Sequence, residues 1–417
     1  MRRLLKQRDF LLVWTGGLVS VAGDWVLAVV LPYVVYAVTG STVATAGMIV
    51  AELVPGMLLG SVAGVFVDRW HLGRVLVVGN LAQAAVVALL LLTPGLETLA
   101  LVYVVAAGQS ALAAFTQPAE SALLPSLVAA EDLVPANALN VLNNRIGRLL
   151  GLPLGAVLYA AFGLPAVVVV DAATFVVAAG LLACVRVPPR TMPEDERVAG
   201  AWRAFAHEWA DGIAVVRRDR TIAVLFVVFG LMTFGGTMFD PLTAAWVRDI
   251  LDGGADVYAL LTTAGAVSGT IGALVVGAVG ARVPPRVLTG WASVIAGGLL
   301  LVRFNVPVLE VAVALSLVQG LFAVASGVGV EALAQQRVPP AYRGRVFGSL
   351  QATVWLLSLF GALVGGVLAE AAGLLVALDL AAVLTLLAGV VVLVVLKAPN
   401  EPAAGGVEDS SPGDAQD

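Results

Sequence analysis

Charge is what this sequence has least of: 12% of its 417 residues are Asp, Glu, Lys or Arg, against about 25% in soluble domains. Cysteine is nearly absent, and Cys184 alone leaves no intrachain disulfide to form. The two histidines, His71 and His207, lie too far apart in sequence to suggest a metal site. The sequence has no Cys/His cluster, glycine-rich phosphate loop, nucleotide fold or Ser-His-Asp set. These absences exclude a secreted disulfide scaffold, a cytosolic enzyme and a nucleic-acid binder. They call for no cofactor and no metal, and would leave ATP-driven transport to a separate chain.

Apolar length is what the sequence has instead. Hydrophobic residues make up 60% of it, with 45 glycines, and mean hydropathy is +0.99. A spanning helix needs about 20 mostly apolar residues. Twelve such stretches are read, at 10–37, 43–67, 73–93, 99–127, 137–162, 165–186, 221–247, 257–280, 285–302, 306–336, 343–370 and 374–396. They are continuous rather than alternating, which predicts an all-α membrane protein of twelve transmembrane helices and not a barrel. The first stretch is too long for a cleaved signal, carries Asp24, and no small-residue cleavage site follows it. Pro55, Pro118, Pro153 and Pro241 fall inside spans, where neighbouring helices re-satisfy the backbone.

Lys and Arg set the orientation. With the N-terminus inside, nineteen of them lie on the inner face, only Arg248 and Arg303 lie outside, and Arg145 and Arg148 fall within a span. Both termini are then cytoplasmic. The chain divides into a six-helix half (1–187), a linker (188–220), a second six-helix half (221–397) and an acidic tail (398–417). Trp202, Phe205, Trp209, Ile213 and Val216 recur at three- and four-residue spacing, so the linker is expected to hold an amphipathic helix on the inner surface. The tail is rich in Gly, Pro, Ser and acids and reads as disordered. Its five acids account for the net charge of -5.

The halves echo each other. Arg69 and Arg282, Arg74 and Arg286, and Glu120 and Glu331 recur at offsets of 213, 212 and 211 residues. A near-constant offset argues for internal duplication, a design that transporters use with the substrate site between the repeats.

Ionisable groups inside the bilayer cost roughly 2.5–3.5 kcal/mol each at mid-helix, so each is a functional candidate. Asp24 sits near the middle of the first span, beside Trp25, where a carboxyl can load and release a proton or bind a cation. Glu120, Glu52 and Asp240 are further coupling candidates, while Asp171 reads as structural. Arg145 and Arg148 enter the fifth span about 12 and 16 Å from its inner end; arginine cannot shed its charge there, so a structural pair with Glu120 is expected. Glu310, Glu331, Glu370 and Asp379 lie nearer span ends and read as solvated. Trp25, Gln109, Phe115, Trp246, Gln319, Phe322, Gln351 and Trp355 are expected to line a largely apolar, aromatic cavity. Such a cavity suits bulky amphipathic or cationic compounds better than sugars.

The most specific local pattern joins the second and third spans: Gly60-Ser-Val-Ala-Gly64-Val-Phe-Val-Asp68-Arg69-Trp-His-Leu-Gly73-Arg74. Gly60 and Gly64 share a helix face that admits close approach of another helix. The pattern resembles the signature loop of the major facilitator superfamily, with one extra residue before Gly-Arg. The resemblance implies that Asp68 contacts the inner end of the eleventh span and steadies the outward-facing state, with Arg69 and Arg74 as loop partners. The second-half loop, Gly-Ala-Arg282-Val-Pro-Pro-Arg286, lacks the aspartate. Gly23-Asp24-Trp25, Gln117-Pro-Ala-Glu120-Ser-Ala-Leu-Leu-Pro, Asp171-Ala-Ala-Thr-Phe175 and Arg343-Gly-Arg-Val-Phe347 look like the drug:proton antiporter branch that includes macrolide-efflux and siderophore-export proteins. The Arg-x-x-Gln-Gly motif of many proton-coupled relatives is missing, and the fourth span has only Gly108-Gln109.

The resemblance implies a monomeric, multi-pass protein of the bacterial inner membrane. It would export hydrophobic or amphipathic, drug-like molecules by proton antiport, with protons, substrate and lipid bilayer as partners and no nucleic acid. Two other readings stand beside this one: a siderophore or lysophospholipid transporter, and a non-transporting membrane sensor or assembly factor.

Overall fold

A computed structural model describes residues 4–92, 99–187, 220–338 and 343–396. The expected linker helix and the acidic tail lie outside the described residues. Those described form helices joined by short turns, as continuous apolar sequence in lipid requires: every backbone N–H and C=O must be satisfied within its own segment. The first half holds α1 (Arg8–Thr39), α2 (Thr42–Arg69), α3 (Leu72–Ala88), α4 (Leu99–Leu127), α5 (Leu133–Phe162) and α6 (Leu164–Ala183). The second holds α7 (Arg220–Phe239), α8 (Leu242–Asp249), α9 (Ala255–Val279), α10 (Pro285–Asn305), α11 (Leu309–Arg337), α12 (Arg343–Ala372) and α13 (Leu374–Val395). All but the short α8 give twelve helices long and apolar enough to cross a membrane.

The seventh span departs from the sequence expectation. It was expected to run unbroken over 221–247, but α7 ends at Phe239 and Asp240-Pro241 form a turn before α8. Proline offers no N–H and its ring crowds the preceding turn, so the helix stops there. Glycine makes the sharpest turns. Gly163 (φ 73°) joins α5 to α6, and Gly373 (φ 107°) joins α12 to α13 at the equivalent place in the second half. Both are left-handed conformations that other residues rarely adopt.

Packing repeats with connectivity. In the first half α1 packs on α5 and α6, α2 on α4, and α3 on α4 and α6. In the second half α7 packs on α12 and α13, α9 on α11, and α10 on α11 and α13. The halves meet through α2 with α12 and through α5 with α9, two contacts that the same pseudo-two-fold exchanges. Small residues permit the closest approaches. A Cβ at Gly151 or Gly155 would lie 2.6 Å from Trp25 Cβ or 2.7 Å from Val29 Cγ1, so α5 can seat on α1 only through glycine. Gly361 and Gly365 do the same for α12 on α7.

The apolar clusters show how the two halves are joined. One large cluster runs through both halves at the end away from the N-terminus, from Val26–Tyr36 on α1 to Trp246 on α8 and Leu378 on α13. At the N-terminal end, each cluster of described residues stays within one half: Val13, Val67 and Leu123 in the first, Leu225, Val330 and Val392 in the second. Among the described residues the apolar packing therefore seals the bundle at the far end and leaves the halves parted at the N-terminal end.

Polar contacts reinforce the seal. The Tyr36 hydroxyl donates to Asp249 Oδ2, and Arg248 Nη1 donates to the Tyr36 carbonyl at 3.4 Å. Glu370, exposed as expected, also accepts from Ser41 Oγ at 2.5 Å and from the Val43 N–H at 3.2 Å. It thereby places a carboxylate at the N-terminus of α2, where the helix dipole favours it. Thr42 Oγ1 donates to the Gly366 carbonyl at 2.8 Å. Each such bond contributes about 0.5–1.5 kcal/mol, so removing the three that Asp249 and Glu370 accept should move the seal's equilibrium roughly tenfold or more. The Asp249→Ala, Glu370→Ala double variant, carrying a cysteine at Met48 in a Cys184→Ser background, should react severalfold faster with impermeant maleimide added at the sealed end. An unchanged rate would remove these contacts from the gate.

Candidate functional site: the central cavity

A cavity of about 1860 Å³ lies between the halves. Its wall is largely apolar and carries seven acidic or basic residues: Asp24, Glu52, Arg145, Arg148, Asp171, Asp240 and Arg303. Of the residues expected to line it, Trp25, Gln109, Gln319, Gln351 and Trp355 do so. Gln109 Nε2 donates to the backbone carbonyl of Gln83 at 3.0 Å, and buried Gln83 borders the same cavity.

Three expected lining residues are elsewhere. Trp246 is fully buried in α8, where its indole N–H donates to the Phe304 carbonyl at 3.3 Å. The break at Asp240-Pro241 leaves Thr243 of α8 on the cavity wall and buries Trp246 in the packed interior. Phe115 on α4 stacks on Trp70 with ring centroids 6.0 Å apart and packs against the cluster that α1, α2, α3, α4 and α6 form. Phe322 packs on Val276, Ala292 and Ala325 within the second half.

Three carboxyls gather on one side. Asp24 on α1 and Glu52 on α2 are open to the cavity, and Asp171 on α6 is 1% exposed. Asp171 reaches α1 at Gly23, where a Cβ would lie 2.7 Å from its Oδ1. That oxygen has no hydrogen-bond partner, and the residue adjoins Asp24. Asp24 feels the charge of Glu52, and Asp171 that of Asp24. Asp171, expected to be purely structural, thus belongs to the cavity. Gly23 is the sequence signal for it, because only a residue without a side chain lets the carboxyl approach α1.

Glu120 is not part of this group and does not pair with the arginines. Its Oε1 would lie 3.3 Å from a Cβ at Gly17, beside Asn143 at the junction of α1, α4 and α5. Among the described residues no ion pair joins Glu120 to Arg145 or Arg148. The cause is helical phase: Asn143 and Arg145 are two residues apart, about 200° around α5. Asn143 points at α1, where Nδ2 donates to the Trp14 carbonyl at 2.6 Å, while Arg145 and Arg148 face the cavity. Glu120→Gln is therefore expected to leave folded membrane yield within twofold of wild type by fluorescence-detected gel filtration. A collapse in yield would restore a structural ion pair.

Arg148 instead lies 4.5 Å over the Trp25 ring and interacts electrostatically with Asp240 from the other half. Arg303, which sequence placed in an outer loop, is 6% exposed in the last turn of α10 and lines the cavity. Its guanidinium stacks against Trp246 and Phe304, and Tyr258 is its ionisable neighbour.

The signature pattern runs from the C-terminal part of α2 into the start of α3, at the end of the bundle that holds the N-terminus. Asp68 and Arg69 are exposed in the last turn of α2, and Gly73 and Arg74 open α3 after Trp70-His71. A Cβ at Gly73 would lie 2.9 Å from Val187 Cγ2, so this glycine admits the chain leaving α6. Gly60 and Gly64 are different. A Cβ at either meets no described atom within 4 Å, and Gly60 borders the cavity. Their smooth face, expected to be packed, is open in this state because the bundle is parted at that end.

Comparison with known proteins fits this architecture. Residues 4–411 match the family described as transmembrane secretion effector. The chain is 26% identical over 376 residues to macrolide efflux protein A of Streptococcus pyogenes, covering 87% of this chain and 90% of that one. It is 28% identical over 314 residues to macrolide efflux protein A of Enterococcus faecalis, covering 73% and 94%. Among solved structures, the nucleoside transporter NupG (D323A mutant) superposes with a TM-score of 0.75 at 12% identity, covering 93% of this chain and 99% of that one. A bacterial homologue of the iron transporter ferroportin, in its inward-facing state, gives 0.71 at 18% identity, covering 94% and 98%. The chain belongs to the transmembrane secretion effector family of the major facilitator superfamily and is a multi-pass membrane transporter.

Proposed function

We propose that this transporter is a monomer of the bacterial inner membrane, with cytoplasmic termini, that exports hydrophobic or amphipathic small molecules in exchange for protons. The observation that carries the reading is the trio Asp24, Glu52 and Asp171 on the wall of a large apolar cavity between the halves. Neighbouring carboxylates repel, and binding a proton relieves that repulsion. Arrival of an amphiphile in the cavity and loss of the proton from the trio can therefore be linked. With the N-terminus inside, the parted end faces the cytoplasm, where an exporter loads. The two relatives named macrolide efflux protein A support the substrate class.

In this mechanism the halves rock about the cavity. The far seal, built on Tyr36–Asp249 and Ser41–Glu370, opens as the N-terminal end closes. Asp68 and the Gly60–Gly64 face supply the closing contact at that end. The test is accumulation of erythromycin and of N-phenyl-1-naphthylamine in cells lacking their own pumps. Wild type should lower accumulation relative to empty vector, and protonophore should abolish the difference. Export that persists with protonophore would overturn proton coupling. No export of either compound, with the protein present in the membrane, would overturn the substrate class.

A further inference from the structure

Proton exchange leaves the arginines of the cavity without a task. Arg303 is more than nine-tenths buried, yet no described residue accepts a hydrogen bond from it, and its enclosed Nε has no partner. Its guanidinium lies 5.3 Å from the Trp246 ring centre and 5.5 Å from that of Phe304, so these aromatic rings face its charge without accepting a hydrogen bond. Its in-plane N–H donors remain, at a wall of the cavity. Arg148, in the opposite half, repeats the arrangement: it stacks 4.5 Å over Trp25, lines the cavity, and its Nε is also enclosed without a partner. Asp240 offsets one of these two charges through its interaction with Arg148. Arginine cannot discharge itself by losing a proton, so Arg303 stays a buried cation with no carboxylate of its own.

A planar fork of unused donors, held rigid on an aromatic ring, matches a group with two or three anionic oxygens. We propose that Arg303, with Arg148 across the cavity, forms a recognition subsite for an acidic group on the transported amphiphile: a carboxylate, sulfonate or phosphate attached to an apolar body. This rests on the amphiphile-export reading above. It divides the labour of the cavity, with the substrate's acid on the arginines and protons on Asp24, Glu52 and Asp171.

A matched pair of ligands tests it. 8-Anilinonaphthalene-1-sulfonate and N-phenyl-1-naphthylamine share one aromatic body and differ by the sulfonate. Titrated calorimetrically into the full-length protein in nanodiscs, with empty discs subtracted, wild type should bind the sulfonate at least tenfold more tightly. Arg303→Gln should remove at least fivefold of that preference, taken as the ratio of the two affinities in the same protein, while Arg303→Lys should retain part of it. If Arg303→Gln does not fold, Arg303→Lys and Arg148→Gln report the same preference. Equal affinities in wild type, or a full preference in the glutamine variants, would overturn the subsite. Replacing gluconate by millimolar chloride should not displace the sulfonate; displacement would mean that the site takes an inorganic anion, which also overturns it. Binding of neither compound would instead bring down the amphiphile-export reading beneath it.

Discussion

Asp24→Asn is expected to raise drug accumulation to the empty-vector level while the protein still reaches the membrane. The substitution is close to isosteric and the side chain faces the cavity, so packing survives. What is lost is the one carboxyl of the trio that touches both others electrostatically. Loss of coupling should read as at least a tenfold fall in initial export rate. Binding of N-phenyl-1-naphthylamine to purified protein should change by less than threefold, because that ligand's apolar contacts are intact. Asp171→Asn should fall between Asp24→Asn and wild type. An Asp24→Asn protein with normal, protonophore-sensitive export would move coupling to Glu52 or Asp240.

The second large effect separates two kinds of glycine. Gly155→Leu should lower the unfolding temperature and cut folded yield severalfold, because a Cβ there meets Val29 Cγ1 at 2.7 Å and α1 backbone closer still. Overpacking a tight site costs roughly 1–3 kcal/mol and sometimes more. Repeating it at Gly151 would consume much of a typical stability of about 5–15 kcal/mol. Gly64→Leu should behave in the opposite way. Its Cβ meets no described atom within 4 Å, so folded yield should match wild type. Its transport should nonetheless fall at least tenfold, since the added side chain obstructs the face that must close. Thermal denaturation beside an export assay reads both results. Equal instability of the two variants would mean that the Gly60–Gly64 face is packed in every state.

These two classes also mark where sequence reading reaches and where it stops. The span count, the duplication and the place of Asp24 were legible because each depends on run length, charge alternation or a charge inside an apolar run. Residues whose role depends on helical phase were not. Glu120 and Arg145 looked like natural partners by depth, but α5 turns Asn143 toward α1 and α4 and the arginines toward the cavity. Trp246 looked like a cavity wall because the apolar run continues past Asp240-Pro241, whereas the chain turns there and buries it. Arg303 looked external because it closes an apolar run on the side with few cations. Only the aromatic packing of Trp246 and Phe304 reveals it as an inward-facing group. The pairing of Tyr36 with Asp249 joins residues 213 apart, and no local pattern announces it.

The central claim is that substrate and protons are exchanged through one cavity, with Asp24 linking them. The most direct measurement uses sealed proteoliposomes holding a pH-sensitive dye, without an imposed gradient. Adding N-phenyl-1-naphthylamine, which carries no charge of its own, should shift the internal pH with wild-type protein, and the shift should vanish with Asp24→Asn although both proteins are present in equal amount. A wild type that takes up the compound without moving protons, or an Asp24→Asn protein that moves them as well as wild type, would contradict the account.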